Sequence, residues 1–328
     1  MNKPKVQGHI AMLFTSLIFA VNIPVSKNLM PNWMSAMGLT YSRFAFGAMA
    51  FWLLSLFLKK EKVTKKDMGT LFLGSLLGVG INQAAFISGL QLTSATNASI
   101  VITITPILAM IISFFILKEP ITFKKAGGVV LGLIGVLSII LTSEIAGKGR
   151  EASFIGDLLC VFSSLSYAFF LVLTRGISKR YSSTTIMKWM FLFSAILFFP
   201  FGYKDVITSQ LFTSGTSVAW ESYAYLLIGA TFITYLLIPI AQKQMRPTTI
   251  GMYNYLQPLV ASFIAVMWGL DTFTWMKPFA AFMIFSGVYF VTTSKSREDV
   301  ERERLMKLGN DNLNDLLLSP VKEPVIKS

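Results

Sequence analysis

Arg43 poses the first chemical question, because it lies about nine positions inside an apolar stretch, 34–57, with no acidic residue at the same depth. A central arginine in a spanning helix costs ~2.5–3.5 kcal/mol on insertion scales. Such a charge either serves function, bonds to carbonyls of a neighbouring helix, or reaches outward along its stem. Uncharged polar residues gather at cavity depth: Asn22, Asn82, Gln83 and Asn97 early in the chain, then Ser164, Tyr167, Tyr235, Tyr253, Asn254 and Gln257. Lipid supplies no hydrogen bonds, so these groups must pair between helices or meet a solute. Together with Trp189 they describe a mixed polar and aromatic pocket for amide, carboxylate or hydroxyl groups, not an ion site. The candidate substrate contacts are therefore Asn22, Arg43, Asn82, Gln83, Tyr167, Trp189, Tyr235, Asn254 and Gln257.

Covalent chemistry finds no such set. His9 is the single histidine, and the acidic residues of the apolar region sit near helix ends, far apart in sequence. No zinc spacing, carboxylate dyad, Ser–His pattern or phosphate-binding loop occurs. The sequence thus implies no catalytic residue, metal or cofactor. The single Cys160 lies in an apolar stretch, which excludes an internal disulfide.

The elements that must position these residues are apolar helices. The chain is 54% hydrophobic and 14% charged, with a mean hydropathy of +0.63. A soluble domain carries roughly 25% charged residues, so this chain lacks the charge to cover a water-facing surface. Runs of about 20 apolar residues suit a bilayer. Ten occur: 8–29, 34–57, 68–90, 94–117, 123–142, 153–175, 183–203, 220–242, 248–270 and 275–293. The first is too long for a secretory signal, holds Asn22 and Pro24, and is expected to stay as a helix. Little remains for a soluble catalytic domain.

The net charge of +13 does not point to nucleic acid. The tail, 294–328, holds seven Lys/Arg and seven Asp/Glu, so the excess belongs to the apolar region. There the cations fill alternate short loops: Lys59, Lys60, Lys62, Lys65 and Lys66; then Lys118, Lys124 and Lys125; then Arg175, Lys179 and Arg180; then Lys243 and Arg246. The positive-inside rule places both termini in the cytoplasm of a multi-pass cytoplasmic-membrane protein. Lipid and a small-molecule solute are the expected partners, and the chain is expected as a monomer or a homodimer.

The chain repeats itself. Gly8, Phe14, Ser16, Leu17 and Ala20 recur as Gly156, Phe162, Ser164, Leu165 and Ala168, and Lys27 pairs with Arg175. Pro106, Glu119, Thr122, Lys125 and Gly135 recur in the same order as Pro258, Asp271, Thr274, Lys277 and Gly287. Five helices is an odd number, so the second copy must enter the membrane from the opposite side. Inverted repeats are characteristic of secondary transporters with a midplane site. The expected architecture is all-α, two inverted five-helix units at 8–142 and 153–293, followed by the polar tail. A receptor or sensor signalling through that tail is the competing reading, as is a non-transporting scaffold.

Two segments sharpen this: ISGLQLTSATNASIVITITPILAMIISFFILKEPITFKKAGGVVLGLIGVL (87–137) and AQKQMRPTTIGMYNYLQPLVASFIAVMWGLDTFTWMKPFAAFMIFSGVYF (241–290). Here the chain resembles the drug/metabolite transporter superfamily, and within it the ten-helix EamA-domain group. The resemblance covers essentially residues 8–293. Gln257 stands where many members carry a glutamate before the proline, and Asp271 replaces the usual glutamate. The resemblance implies a carrier of amino acids, metabolites or drugs, export favoured, with helices 1–4 and 6–9 around a central cavity.

Pro106 and Pro258 fall near mid-span at matched depth, where proline removes a backbone bond and kinks a helix. With Pro24 they are the candidate hinges. Glu119 and Asp271 are expected near the membrane surface as helix caps or parts of a gate.

Overall fold

The computed structural model describes residues 3–93, 98, 101–144, 154–267, 275–295, 299–303 and 305–306, and all regular structure among them is helical. The helices are α1 (Lys3–Leu29), α2 (Ala36–Leu56), α3 (Lys65–Leu92), α4 (Thr105–Leu117), α5 (Phe123–Glu144) and α6 (Phe154–Ser178). Next come α7 (Ser183–Ile207), α8 (Ser217–Gln244), α9 (Pro247–Met252), α10 (Leu256–Met267) and α11 (Met276–Thr292). Several starts are fixed locally: Ser35, Thr64, Ser182 and Thr216 each accept a hydrogen bond from a backbone N–H three residues on, satisfying a donor that the first turn leaves orphaned. Five stretches among the described residues are long and apolar enough to cross a bilayer by length and composition: Val6–Leu29, Lys65–Leu92, Phe154–Ser178, Ser183–Ser214 and Ser217–Gln244.

Helices from the first half of the chain pack on helices from the second. α2 lies on α7, the end of α3 on α6, and α5 on α11. α1 packs against α8 and α10, while α4 packs against α6 and α9. One core cluster joins both halves and includes Phe44, Phe51, Phe170, Phe191 and Tyr235. Phe51 sits between Phe191 and Phe232, at centroid distances of 5.5 and 4.9 Å, within the range of favourable ring pairs. In the α5–α11 pair the backbones touch: a Cβ on Gly287 would lie 2.5 Å from the Gly128 carbonyl oxygen. Small residues permit this approach.

Both α3 and α8 widen into a π-helical segment, Ser75–Ile81 and Ile228–Ile233 respectively. Such insertions disturb the regular ladder of backbone bonds and recur at functional sites. In α3 the segment lets Gly78 approach Phe170, where any Cβ would fall 2.2 Å from the ring.

The prolines act differently from the mid-span kinks expected of them. The chain turns at Thr103–Ile104, and Pro106 then occupies the first turn of α4, where its missing N–H costs nothing. Pro258 sits in the first turn of α10, after a 3-10 turn at Tyr253–Tyr255 that separates it from α9. These two prolines start helices after a break. Pro24 lies inside α1, which continues through it, and is exposed.

Candidate functional site

A cavity of about 80 Å3 lies among α1, α2, α3, α4, α6, α8 and α10, with the turn before α10. Its lining includes Asn22, Arg43, Asn82, Gln83, Tyr167, Tyr235, Asn254 and Gln257, eight of the nine expected substrate contacts. Ser163, Ser164 and Thr105 add hydroxyls, and Phe19, Ile23, Phe86, Ile87 and Ile102 supply the apolar wall. Trp189 is elsewhere: its ring meets Trp52 edge-on at 5.3 Å and stacks near Phe193 at 5.9 Å. Its half-buried position on α7 faces an aromatic cluster away from the cavity. Asn97 and Asp271 lie outside the described residues.

Arg43 is 2% exposed. Its Nε donates to Thr231 Oγ1 at 2.8 Å and its Nη2 to the Ala230 carbonyl at 2.9 Å, both in the π segment of α8. The segment thus presents acceptors that fix the guanidinium. Nη1 makes no hydrogen bond, and no carboxylate pairs with Arg43 among the described residues. Gln83 is 5% exposed, and both atoms of its amide lack a partner. Tyr235 stands close to it, with its own hydroxyl proton donated to the Gly78 carbonyl at 3.3 Å. Unpaired buried amide atoms carry a desolvation penalty of about 1–3 kcal/mol each unless a ligand or water meets them.

Other polar groups are partly committed. Asn82 Nδ2 donates to the carbonyl and hydroxyl of Ser163 at 3.0 and 2.9 Å, locking α3 to α6. Gln257 Nε2 donates to Asn254 Oδ1 at 3.2 Å. Among the described residues the Tyr167 hydroxyl has no hydrogen-bond partner, and the ring lies across from Phe170. Sequence reasoning missed Ser163 and Thr231. Ser163 could have been found, since it lies four residues before Tyr167 on the same helical face. Thr231 could not, because its role depends on the π segment.

A second cavity, about 550 Å3, is lined by His9, Glu119, Arg175, Lys179, Gln244, Arg246, Thr249 and Asp299, among others. His9 Nδ1 and the Tyr253 hydroxyl are 2.6 Å apart, and Ser16 Oγ donates to the Tyr253 carbonyl at 3.0 Å. Along α1 and the α9–α10 segment these bonds fall between residues of the two cavities. Glu119 binds Lys125 Nζ at 2.8 Å and also pairs with Arg175. It does not cap α5; Thr122 Oγ1 does, accepting from Lys125 N at 3.2 Å. Lys118, with a φ of 52°, ends α4 in the left-handed region and turns Glu119 inward. Burial opposes ionisation of Glu119, but Lys125, Arg175 and Arg246 outweigh it and hold the carboxyl below its ordinary value. Lys27 Nζ donates to the carbonyls of Leu90, Gln91 and Thr93, closing the end of α3, a favourable place for a cation.

The chain belongs to the EamA-like transporter family, which it matches twice, over residues 6–141 and 154–293. It is a multi-pass membrane protein of a transporter class, not an enzyme class. It is 24% identical over 237 residues to an uncharacterised transporter, YetK, of Bacillus subtilis (strain 168), covering 72% of each chain. It is 26% identical over 263 residues to a WAT1-related protein of Arabidopsis thaliana, covering 71% of this chain and 69% of that one. It is 23% identical over 262 residues to an S-adenosylmethionine/S-adenosylhomocysteine transporter of Chlamydia muridarum (strain MoPn / Nigg), covering 77% and 81%. A solved crystal structure superposes with a TM-score of 0.66 at 18% identity, spanning 89% of this chain and 97% of its own.

Proposed function

We propose that the protein is a secondary carrier that moves small organic solutes across the cytoplasmic membrane, exposing its central cavity alternately to the two faces. The observation that carries this is the polar cavity itself. Its walls come from both halves of the chain, and it holds a buried arginine without a carboxylate partner among the described residues and a buried amide, that of Gln83, with neither atom hydrogen-bonded. Membership of a transporter family supports the same reading, as does the organic metabolite named for the Chlamydia muridarum relative.

In this reading the chain comprises two five-helix units, 8–142 and 153–293, of opposite orientation, with a cytoplasmic tail. Three features support it. The π segments fall at corresponding places, in the third and eighth spans. Breaks precede both Pro106 and Pro258. The packing is reciprocal as well: α1 on α8 mirrors α6 on α3, and α1 on α10 mirrors α6 on α4. Discontinuous helices beside a site at the repeat interface are a recurring transporter design. Export is the favoured direction, following the family resemblance.

Counterflow in proteoliposomes tests the carrier function. Vesicles preloaded with a panel of unlabelled amino acids, other carboxylates, sugars and nucleosides should take up at least one labelled solute faster than protein-free vesicles. Absence of exchange for every solute, with no binding to the purified protein, would remove the carrier reading.

A further inference from the structure

We infer that the transported solute is an organic anion whose single carboxylate meets Arg43, with an uncharged remainder that hydrogen-bonds to the cavity amides. This rests on the central cavity being the solute site, as proposed above. Among the described residues that line it, the cavity carries one fixed positive charge and no negative one. Residues 94–97 and 99–100, next in sequence to the cavity helices, add no acidic side chain.

Arg43 explains the charge preference. A desolvated guanidinium without a carboxylate partner leaves an uncompensated charge, and an incoming anion supplies the missing one. The bonds from Nε and Nη2 to Thr231 and Ala230 fix the plane of the group, and leave Nη1 to a ligand. An arginine so held is suited to planar carboxylates. A cationic solute would meet repulsion in a low-dielectric site with no acid to offset it.

Gln83 is the independent second element. Its unpartnered amide offers one acceptor and two donors within the same cavity as Arg43. Asn22, Asn254 and Gln257 extend this neutral polar lining, and Phe19, Phe86 and Tyr167 provide an apolar wall. That set fits an amide- or hydroxyl-bearing, partly apolar body. The larger cavity agrees in sign: Arg175, Lys179 and Arg246 face Glu119 and Asp299, a positive excess that raises the local concentration of anions.

The test uses full-length protein in proteoliposomes and labelled N-acetyl derivatives of glycine, leucine, phenylalanine and glutamine, each beside its own carboxamide. Replacing carboxylate with carboxamide keeps the shape and removes the charge. At least one carboxylate should exchange ~10-fold or more faster than its carboxamide, the scale of a lost charge-assisted hydrogen bond. In Arg43→Gln that ratio should fall towards one. If this variant does not fold, the wild-type ratio decides by itself. Carboxamides or free leucinamide moving as well as the carboxylates would overturn the anion assignment and leave the carrier function standing. Equimolar chloride competing as well as the carboxylate would also overturn it, marking Arg43 as an inorganic-anion site. No exchange of any compound, with the counterflow panel above also silent, would remove the carrier reading along with it.

Discussion

Arg43→Ala lowers transport ~10–100-fold while the protein stays folded in the membrane. The magnitude is that of one or two charge-assisted hydrogen bonds, about 1.5–3 kcal/mol, at roughly 1.4 kcal/mol per tenfold. The second half of the expectation comes from the partners Arg43 leaves behind. Thr231 Oγ1 still donates to the Leu226 carbonyl at 2.8 Å, and the Ala230 carbonyl still accepts from Thr234 Oγ1 at 2.8 Å. Neither group is orphaned, and removal of a buried charge lacking a counter-ion relieves a cost. Stability should stay within about 1 kcal/mol of wild type. Arg43→Lys should fall between, because an ammonium cannot hold two acceptors in the fixed plane a guanidinium provides. Initial rates in proteoliposomes, paired with monodispersity and thermal unfolding of the same preparations, separate the two effects. Normal transport by Arg43→Ala would return the residue to a purely structural role.

Glu119→Gln has the opposite profile, with a large loss of stability. Lys125 is fully buried, and among the described residues Glu119 is its only ion-pair partner. Breaking a buried pair by deleting one member costs about 3–5 kcal/mol, because a charge is left uncompensated. Adding Lys125→Met to Glu119→Gln should recover much of that loss, and a double-mutant cycle in detergent measures the coupling. The pH dependence follows from the depressed carboxyl. A group with its folded value below its unfolded value stabilises the protein at higher pH. The Glu119 contribution is therefore complete above the ordinary glutamate value of 4.5, and is lost as pH falls below it towards the depressed folded value. The Glu119→Gln protein should lack that acid-dependent decline.

Much of this arrangement was legible in the residues. Apolar length located most of the described helices within a few positions, since the bilayer requirement is a matter of count. Depth along those helices was enough to collect Asn22, Arg43, Asn82, Gln83, Tyr167, Tyr235, Asn254 and Gln257 at one cavity. Trp189 failed the same logic because depth does not specify which face a side chain occupies, and its face packs on Trp52. The breaks before Pro106 and Pro258 were hidden because apolar residues continue through them, so composition sees one span where the backbone makes two pieces. The π segments left no periodic signal either, being only seven and six residues long. Yet Ile228–Ile233 is what gives Arg43 its acceptors. Glu119 was legible as a surface-end acid, but its partner Arg175 is 56 positions away and needed the packing of α4 on α6.

The central claim is that the cavity opens to each face in turn, and sidedness of access tests it most directly. With Cys160 replaced by alanine, Ser164→Cys puts the single thiol on the cavity wall with almost no change in shape. A membrane-impermeant maleimide is then applied to vesicles of both orientations. Labelling of position 164 from both faces, slowed by a transported solute, is the predicted result. Labelling from one face only, or no protection by a solute that the protein demonstrably exchanges, would contradict it.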